Sequence, residues 1–469
     1  RRPVAGELVH RASNRTPGRR FRAAQWGARA AAVRAAAAAS AALVSGALLG
    51  TVARAADWPG WRGPSGDGNS PETSGWPDGW PPERLWTTNV GHGCASPIIV
   101  GGRLCVLGWT GSPAHGRTMG VETLHAFDAR TGRPLWRREM PGRYQARHAV
   151  GDEREYGGPS ATPLADIEGG RLFTLSPDGD LRAWKLEDGA PLWQVNLYDT
   201  ERAGPRPDVG AARRDYGYTA SPRLHRGWLL VETGGAGGLV VAFDPATGAR
   251  RWVSEARAPA GHSGAPVVSP DGDTLAVLAL DRLVLMDLRP DRAGRTLAEL
   301  PWATDYGCNI PTPAFRGRRL FVTSGYNQRR TAALERSEDG ARIERWSSRA
   351  HAVVSSPVVR GDRVYVLAGA VTALDAETGA VRWRGGRFGH GSMIATADDR
   401  LLVWGEGRLA LLDAALAATA YRELQVLESV LPATAYPHVA LSDGVIACKD
   451  RAGNLAVFSV APRNRGGAP

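Results

Sequence analysis

Cysteine is scarce in this chain. Only Cys94, Cys105, Cys308 and Cys448 occur, with no C-x-x-C, no C-x-x-C-H and no adjacent pair. That excludes a zinc ribbon and covalently attached haem. The missing adjacent pair and the missing lipobox cysteine argue against a redox enzyme and a lipid anchor. A pairing such as Cys94–Cys308 stays open for an oxidising compartment. Net charge is also scarce outside the head. Residues 1–56 hold ten arginines and one glutamate, which is +9 of the chain's formal +11. The remainder carries 48 basic against 46 acidic residues, so no basic groove for nucleic acid is expected.

The head has the form of an export leader. Arg15 to Arg34 supply a basic region, Ala35–Ala53 carry no charge, and Ala53-Arg54-Ala55 has the small-x-small form of a cleavage site. The alternative is an uncleaved membrane anchor, since nineteen uncharged residues are long enough to span. Either way the rest of the chain is expected outside the cytoplasm, periplasmic or extracellular, in a bacterial envelope.

What the chain has in abundance is a repeat. The frame A-x-D-x-x-T-G-x-x-x-W occurs at Ala126–Trp136 (with Asp128 and Gly132), Ala242–Trp252 (Asp244, Gly248) and Ala373–Trp383 (Asp375, Gly379), and in relaxed form at Ala183–Trp193. A unit of roughly 40 to 50 residues is the signature of a propeller or solenoid. Each unit opens on a small-polar-Pro step, as in Ser96-Pro97 or Ser356-Pro357, followed by two β-branched runs about a Gly or Asp turn. Such runs form a hairpin. The Asp–Thr–Gly turn forms a second one, its side-chain oxygens serving free amides and its glycine taking the positive φ.

Eight entries are counted, at Pro97, Pro163, Pro222, Pro266, Pro313, Pro357, Met393 and Pro437. Closing tryptophans fall at Trp136, Trp193, Trp252, Trp302, Trp346 and Trp383, with Leu424 at the seventh place. The eighth unit stops one strand short, and an unclaimed strand at Arg84–Thr87, with Trp86, precedes the first. The expected fold is therefore all-β, an eight-bladed propeller of four-stranded antiparallel blades closed by an N-terminal strand, which removes exposed edges. The divisions are 1–56 leader, 57–83 Trp/Pro/Gly-rich arm, 84–460 propeller and 461–469 disordered tail. One tryptophan per repeat at a fixed offset from a turn reads as packing between blades.

The Asp…Thr-Gly…Trp frame resembles the tryptophan-docking motif of pyrrolo-quinoline quinone (PQQ) repeat propellers, which include quinoprotein dehydrogenases and a non-enzymatic barrel-assembly lipoprotein. Trp58–Pro64, Gly158–Pro163 and Gly234–Asp244 are similar to a secreted subgroup of PQQ-like proteins. The resemblance covers about residues 57 to 460. It implies the fold strongly and the activity weakly, because one propeller hosts unrelated functions.

Loops that precede the innermost strands converge on one face around the central channel. Here they carry His92, Tyr156, Asp215, Tyr216, Tyr218, His262, Asp305, Tyr306, Asn309, His351, His390 and Tyr436. Two readings compete. One is an exported non-catalytic binding or scaffold propeller whose top-face mouth holds a protein, peptide or small ligand, with no cofactor expected. The other, implied by the resemblance, is a PQQ- and calcium-dependent dehydrogenase with the quinone in the channel, Asp305 and Asn309 as the carboxylate–amide pair for calcium and Asp215 as base. No cation is assignable as quinone partner.

Overall fold

The computed structural model describes residues 57–114, 117–142, 157–203, 216–336 and 342–460. The expected leader, the tail, Tyr156 and Asp215 lie outside these residues. The described chain forms eight antiparallel blades in a ring, a β-propeller. Blade one runs outward through Ile98–Val100, Arg103–Ala114, Arg117–Asp128 and Pro134–Gly142. In blade six the strand Arg363–Asp375 serves twice. Its first half pairs with Val358–Arg360 and its second with Val381–Gly389, and Gly369 between them has φ +72. Blade eight takes its three inner strands from Ala440–Ser442, Val445–Lys449 and Asn454–Ser459, and its outer strand is Glu83–Asn89, antiparallel to the last of these. The closing strand is thus longer than Arg84–Thr87. Among the described residues no helix is long and apolar enough to cross a membrane.

The Asp–Thr–Gly turns close as their residue types dictate. The Asp128 carboxylate accepts from the amides of Arg130 and Thr131 and from the Thr131 hydroxyl, while Gly132 N–H donates to the Asp128 carbonyl. Asp244 and Asp375 repeat the pattern. The turn glycines are also where the preceding blade lands. A Cβ on Gly132 would sit 2.7 Å from the Trp86 ring, on Gly189 2.6 Å from Trp136, on Gly248 2.7 Å from Trp193 and on Gly379 2.5 Å from Trp346. Each ring therefore needs a neighbour with no side chain. Trp86, Trp193 and Trp346 also donate their indole N–H to a carbonyl of that turn, at Ala129, Pro245 and Ala376. Such a ring buries ~150–250 Å², an upper bound near ~4–6 kcal/mol at ~25 cal/mol/Å².

Register defines the tryptophan position better than sequence spacing does. It lies opposite an alanine beside a β-bulge in Ala126/Trp136, Ala183/Trp193, Ala242/Trp252, Ala333/Trp346 and Ala373/Trp383. In blade eight Trp86 lies opposite Val457. In blade four the equivalent pair is Leu285/Ala298, and in blade seven Leu411/Gln425. Trp302 therefore stands four residues beyond the repeat position, past the end of its strand, and Leu424 is one residue short. Trp302 is buried for another reason: its indole donates to the Ser324 hydroxyl and Arg330 lies over its ring. The buried apolar residues fall into clusters, each at a seam between neighbouring blades. The seam that closes the ring joins blades seven, eight and one and takes in Trp58 and Trp80 of the arm. Trp80 is buried and donates to the Ser74 carbonyl, so it is a core residue and not a loose ornament.

The small-polar-Pro step has its own function in the ring. The hydroxyl before the proline accepts an amide from the adjacent blade. Ser96 N–H reaches Thr162, Thr162 N–H reaches Ser221, Thr312 N–H reaches Ser356, and His438 N–H returns to Ser96. At blade four, where the step is Gly264-Ala265-Pro266, the Gly264 carbonyl accepts from Ser221 instead.

Two outcomes test these contacts. Gly379→Ala is expected to cost at least ~2 kcal/mol more than Gly102→Ala in urea melts, since overpacking costs ~1–3 kcal/mol. Both glycines have φ near +72, but a Cβ on Gly102 meets nothing within 4 Å, so equal costs would refute the docking role. Arg251 and Arg382 hold the Asp244 and Asp375 carboxyls down at about 2. A depressed carboxyl stabilises the fold fully above its unfolded value and loses that contribution as pH falls through the folded one. Thermal stability should therefore drop between about pH 4 and 2, and Asp375→Asn should lower the plateau and flatten this limb in pH-resolved melts.

Candidate functional site

The arm that precedes the closing strand runs across the ring on the face opposite the entry loops. Trp58 pairs with Ile99 of blade one, the Pro59 carbonyl accepts from Ala165 of blade two, and the Ser65 carbonyl accepts from Arg223 of blade three. Arg62 donates to the Pro357 carbonyl of blade six. Gly68 and Ser70 bracket Ala395 of blade seven, and the Glu72 carboxylate receives the Asp443 and Gly444 amides in the inner turn of blade eight. Proline and glycine suit this path, because it must cross successive strand ends without forming a ladder of its own.

Trp61 is the residue of the arm that faces the channel. Its indole donates to the Thr312 hydroxyl at 3.0 Å, its ring lies 4.3 Å from the His438 ring, and a Cβ on Gly264 would approach it to 2.2 Å. Blades five, eight and four thus fix one ring across the channel. Beneath it Arg62 is only 1% exposed. Burial lowers its guanidinium to about 10, and burial next to Arg62 pushes the His438 imidazole down to about 3.

Above Trp61 opens a pocket with a cavity volume of about 180 Å³. Its aromatic and small polar lining, rather than its size, resembles a small-ligand site. Four of the mouth residues expected from the sequence line it: Tyr216, His262, His390 and Tyr436. Tyr216 meets His262 edge-on at 5.1 Å, and His390 stacks on Tyr436 at 5.8 Å. Burial lowers the His390 pKa, so its ring is neutral at physiological pH.

The other expected residues are placed elsewhere. His92 is exposed and pairs through its backbone with Trp109. Tyr218 is buried and donates its hydroxyl to the Thr233 carbonyl. Asn309 is 0% exposed and its amide nitrogen reaches the carbonyls of Ala279, Leu280 and Trp302. Asp305 donates its backbone N–H to the Asn327 side-chain oxygen. Tyr306, at φ +67, meets Tyr326 edge-on at 6.4 Å, and Tyr326 rather than Tyr306 lines the pocket. The His351 ring faces the Arg349 carbonyl, while the lining here comes from Val353 and Val354. Sequence reasoning missed Trp61, Cys94, Ser160, Thr219, Gly264, Ile310 and Tyr326. Ser160, Thr219 and Gly264 stand two or three residues before an entry proline, so the entry step itself was their signal.

A PQQ and calcium site needs cations for a tricarboxylate quinone and a cluster of oxygen ligands for the ion. Trp61 offers a ring face to a planar group. Among the described residues, however, the lining contains no arginine, lysine, aspartate or glutamate. Among the described residues no three His, Cys, Asp or Glu side chains gather as metal ligands. The described residues do not fit that pair.

A ring of eight blades with tryptophan docking and a central mouth defines a PQQ-type propeller. The profile described as outer membrane protein assembly factor BamB, a PQQ-repeat family, matches residues 120–384 and 281–425, and the chain belongs to this family. It is 25% identical over 287 residues to the outer membrane protein assembly factor BamB of Burkholderia pseudomallei, covering 55% of this chain and 69% of that protein. It is 28% identical over 163 residues to the quinohemoprotein alcohol dehydrogenase ADH-IIG of Pseudomonas putida, 34% of this chain but only 19% of the dehydrogenase. Similar folds are BamB from Moraxella catarrhalis, at a TM-score of 0.52 and 13% identity over 80% of this chain and 97% of that one, and the quinohemoprotein alcohol dehydrogenase of Comamonas testosteroni, at 0.59 and 14% over 88% and 82%.

All four cysteines are free thiols, so the Cys94–Cys308 pairing does not form. Cys94 is half-buried on the pocket wall, with its pKa raised by burial against the opposing pull of Lys449 and Arg451. Cys105, Cys308 and Cys448 are buried. Iodoacetamide on native protein, read by peptide mass spectrometry, should label Cys94 slowly and the other three far more slowly still. Labelling of Cys448 at the rate of Cys94 would contradict this geometry.

Proposed function

We propose that the protein is an exported, non-catalytic binding or scaffold propeller that holds a partner in its top-face mouth. The observation that carries this reading is the convergence of Tyr216, His262, Tyr326, His390 and Tyr436, from separate blades, over a floor supplied by Trp61. Rings on a rigid scaffold are efficient anchors, because they bury area at little cost in conformational freedom. The relative named as an outer membrane protein assembly factor supports a protein partner, and the basic leader supports export to the envelope. The near-neutral body speaks against nucleic acid. The dehydrogenase reading has less behind it, since the described residues of the lining offer none of the charges that PQQ and calcium call for.

The test removes the stacked pair on the rim. His390→Ala/Tyr436→Ala should stay folded by circular dichroism and lose the partner captured by wild-type protein from an envelope fraction, since a few central anchors dominate an interface. A folded double variant that keeps every partner would refute the mouth as the binding face.

A further inference from the structure

A second cavity, of about 370 Å³, opens between blades six and seven, and among the described residues it shares none with the mouth. Its size falls within the range of small-ligand sites. Blade seven runs through Ser392–Ala395, Arg400–Gly405, Arg408–Asp413 and Glu423–Leu427, and its outer turn has no Asp–Thr–Gly sequence. Here Trp383 of blade six meets the Tyr421 ring, with centroids 5.7 Å apart. The bare backbone lies on the blade-six side: a Cβ on Gly385 would sit 2.2 Å from the Tyr421 ring, and one on Gly386 2.5 Å from its hydroxyl. That hydroxyl donates to the Glu423 carboxylate. The Arg408 guanidinium, 5.2 Å over the Phe388 ring, donates to Glu423, to Glu428 at 3.0 Å and to the Arg387 carbonyl. Tyr421, Glu423 and Arg408 are thus spent on the framework, and they fix the cavity before any ligand arrives.

Two polar groups on the walls are left over. The Arg387 guanidinium of blade six is exposed and lines the cavity, and among the described residues no acceptor receives it. Glu428 of blade seven gives one carboxylate oxygen to Arg408 and keeps the other. Guanidinium donors on one blade therefore face a carboxylate acceptor on the next. A formal charge placed here meets a like charge beside the opposite one, and exposed ion pairs contribute little. A hydroxyl gains from both walls because it donates and accepts at once, and neighbouring hydroxyls of one ring can engage both groups together. We propose that the cavity between blades six and seven is a binding site for a neutral saccharide unit, with Arg387 and Glu428 as the residues that contact its hydroxyls.

The experiment titrates the whole protein at pH 6 with methyl β-glucopyranoside, glucuronate and glucosamine, which are neutral, anionic and cationic versions of one ring, and follows saturation-transfer NMR. The neutral glycoside should bind at least ~fivefold more tightly than either ion. Arg387→Ala and Glu428→Gln should each weaken that binding at least ~tenfold. Arg387 is exposed and unpartnered, so its variant should melt like wild type, and Arg384→Ala, on the same strand but outside the cavity, should bind as wild type does. Cellotetraose separates two sources of the same chemistry: at least ~tenfold tighter binding than the single glycoside marks a unit of a glycan chain, and equal binding marks a free sugar. No binding of the neutral glycoside would overturn the proposal. So would equal or tighter binding of either ion, or unchanged binding in Arg387→Ala. The rim variant His390→Ala/Tyr436→Ala should keep full sugar binding, and its loss there would place the sugar in the mouth and sink this site.

Discussion

The architecture depends on one steric demand: each blade must present a bare backbone where its neighbour's indole lands. Positive φ and the absence of a Cβ coincide at Gly132, Gly189, Gly248 and Gly379. The turn chemistry that fixes the hairpin therefore also creates the seat for the next blade. Local conformation and long-range packing are solved by the same residue, which is why the motif repeats intact while the strands around it vary. Where the turn differs, the seam is filled otherwise. Gly294 receives Trp252 from a turn with no Asp–Thr–Gly sequence, and Leu416 leans on Gly361 between blades six and seven.

The inner rim solves a different problem. Strands near the axis crowd together and leave amides pointing sideways, out of their own sheets. A serine or threonine placed before the entry proline accepts one such amide from the next blade, and the proline removes a donor that would have no partner there. The same short segment supplies Ser160, Thr219 and Gly264 to the pocket lining. Structural and recognition surfaces thus share residues at the rim, and the ligand-facing geometry inherits the precision of the ring.

Most of the fold was legible in the sequence because its signals are periodic. Asp128, Asp244 and Asp375 mark the same turn three times, and the missing outer strand of the last blade identifies Trp86 by subtraction. Trp302 misled because spacing counts residues, whereas docking depends on the bulge that sets Ala298 opposite Leu285. The candidate site was only half legible. His262, His390 and Tyr436 follow from topology, since entry loops must converge. Whether a ring turns inward or spends its polar atoms on the framework, as Tyr218 and Asn309 do, is set by side-chain partners that no periodicity encodes. Trp61 was illegible for a further reason: a non-repeating segment has no register to read, and its place emerges only from backbone pairings to residues hundreds of positions away.

The path of that segment also bears on how the molecule comes to exist. Glu83–Asn89 pairs with Asn454–Ser459, and the arm before it meets blades from first to last. The strand Glu83–Asn89, made before any blade, thus has no partner until the last strand has been made. Closing so long a loop is slow. During synthesis the polypeptide must remain an open series of blades, and the ring can close only after Asn454–Ser459 has been made.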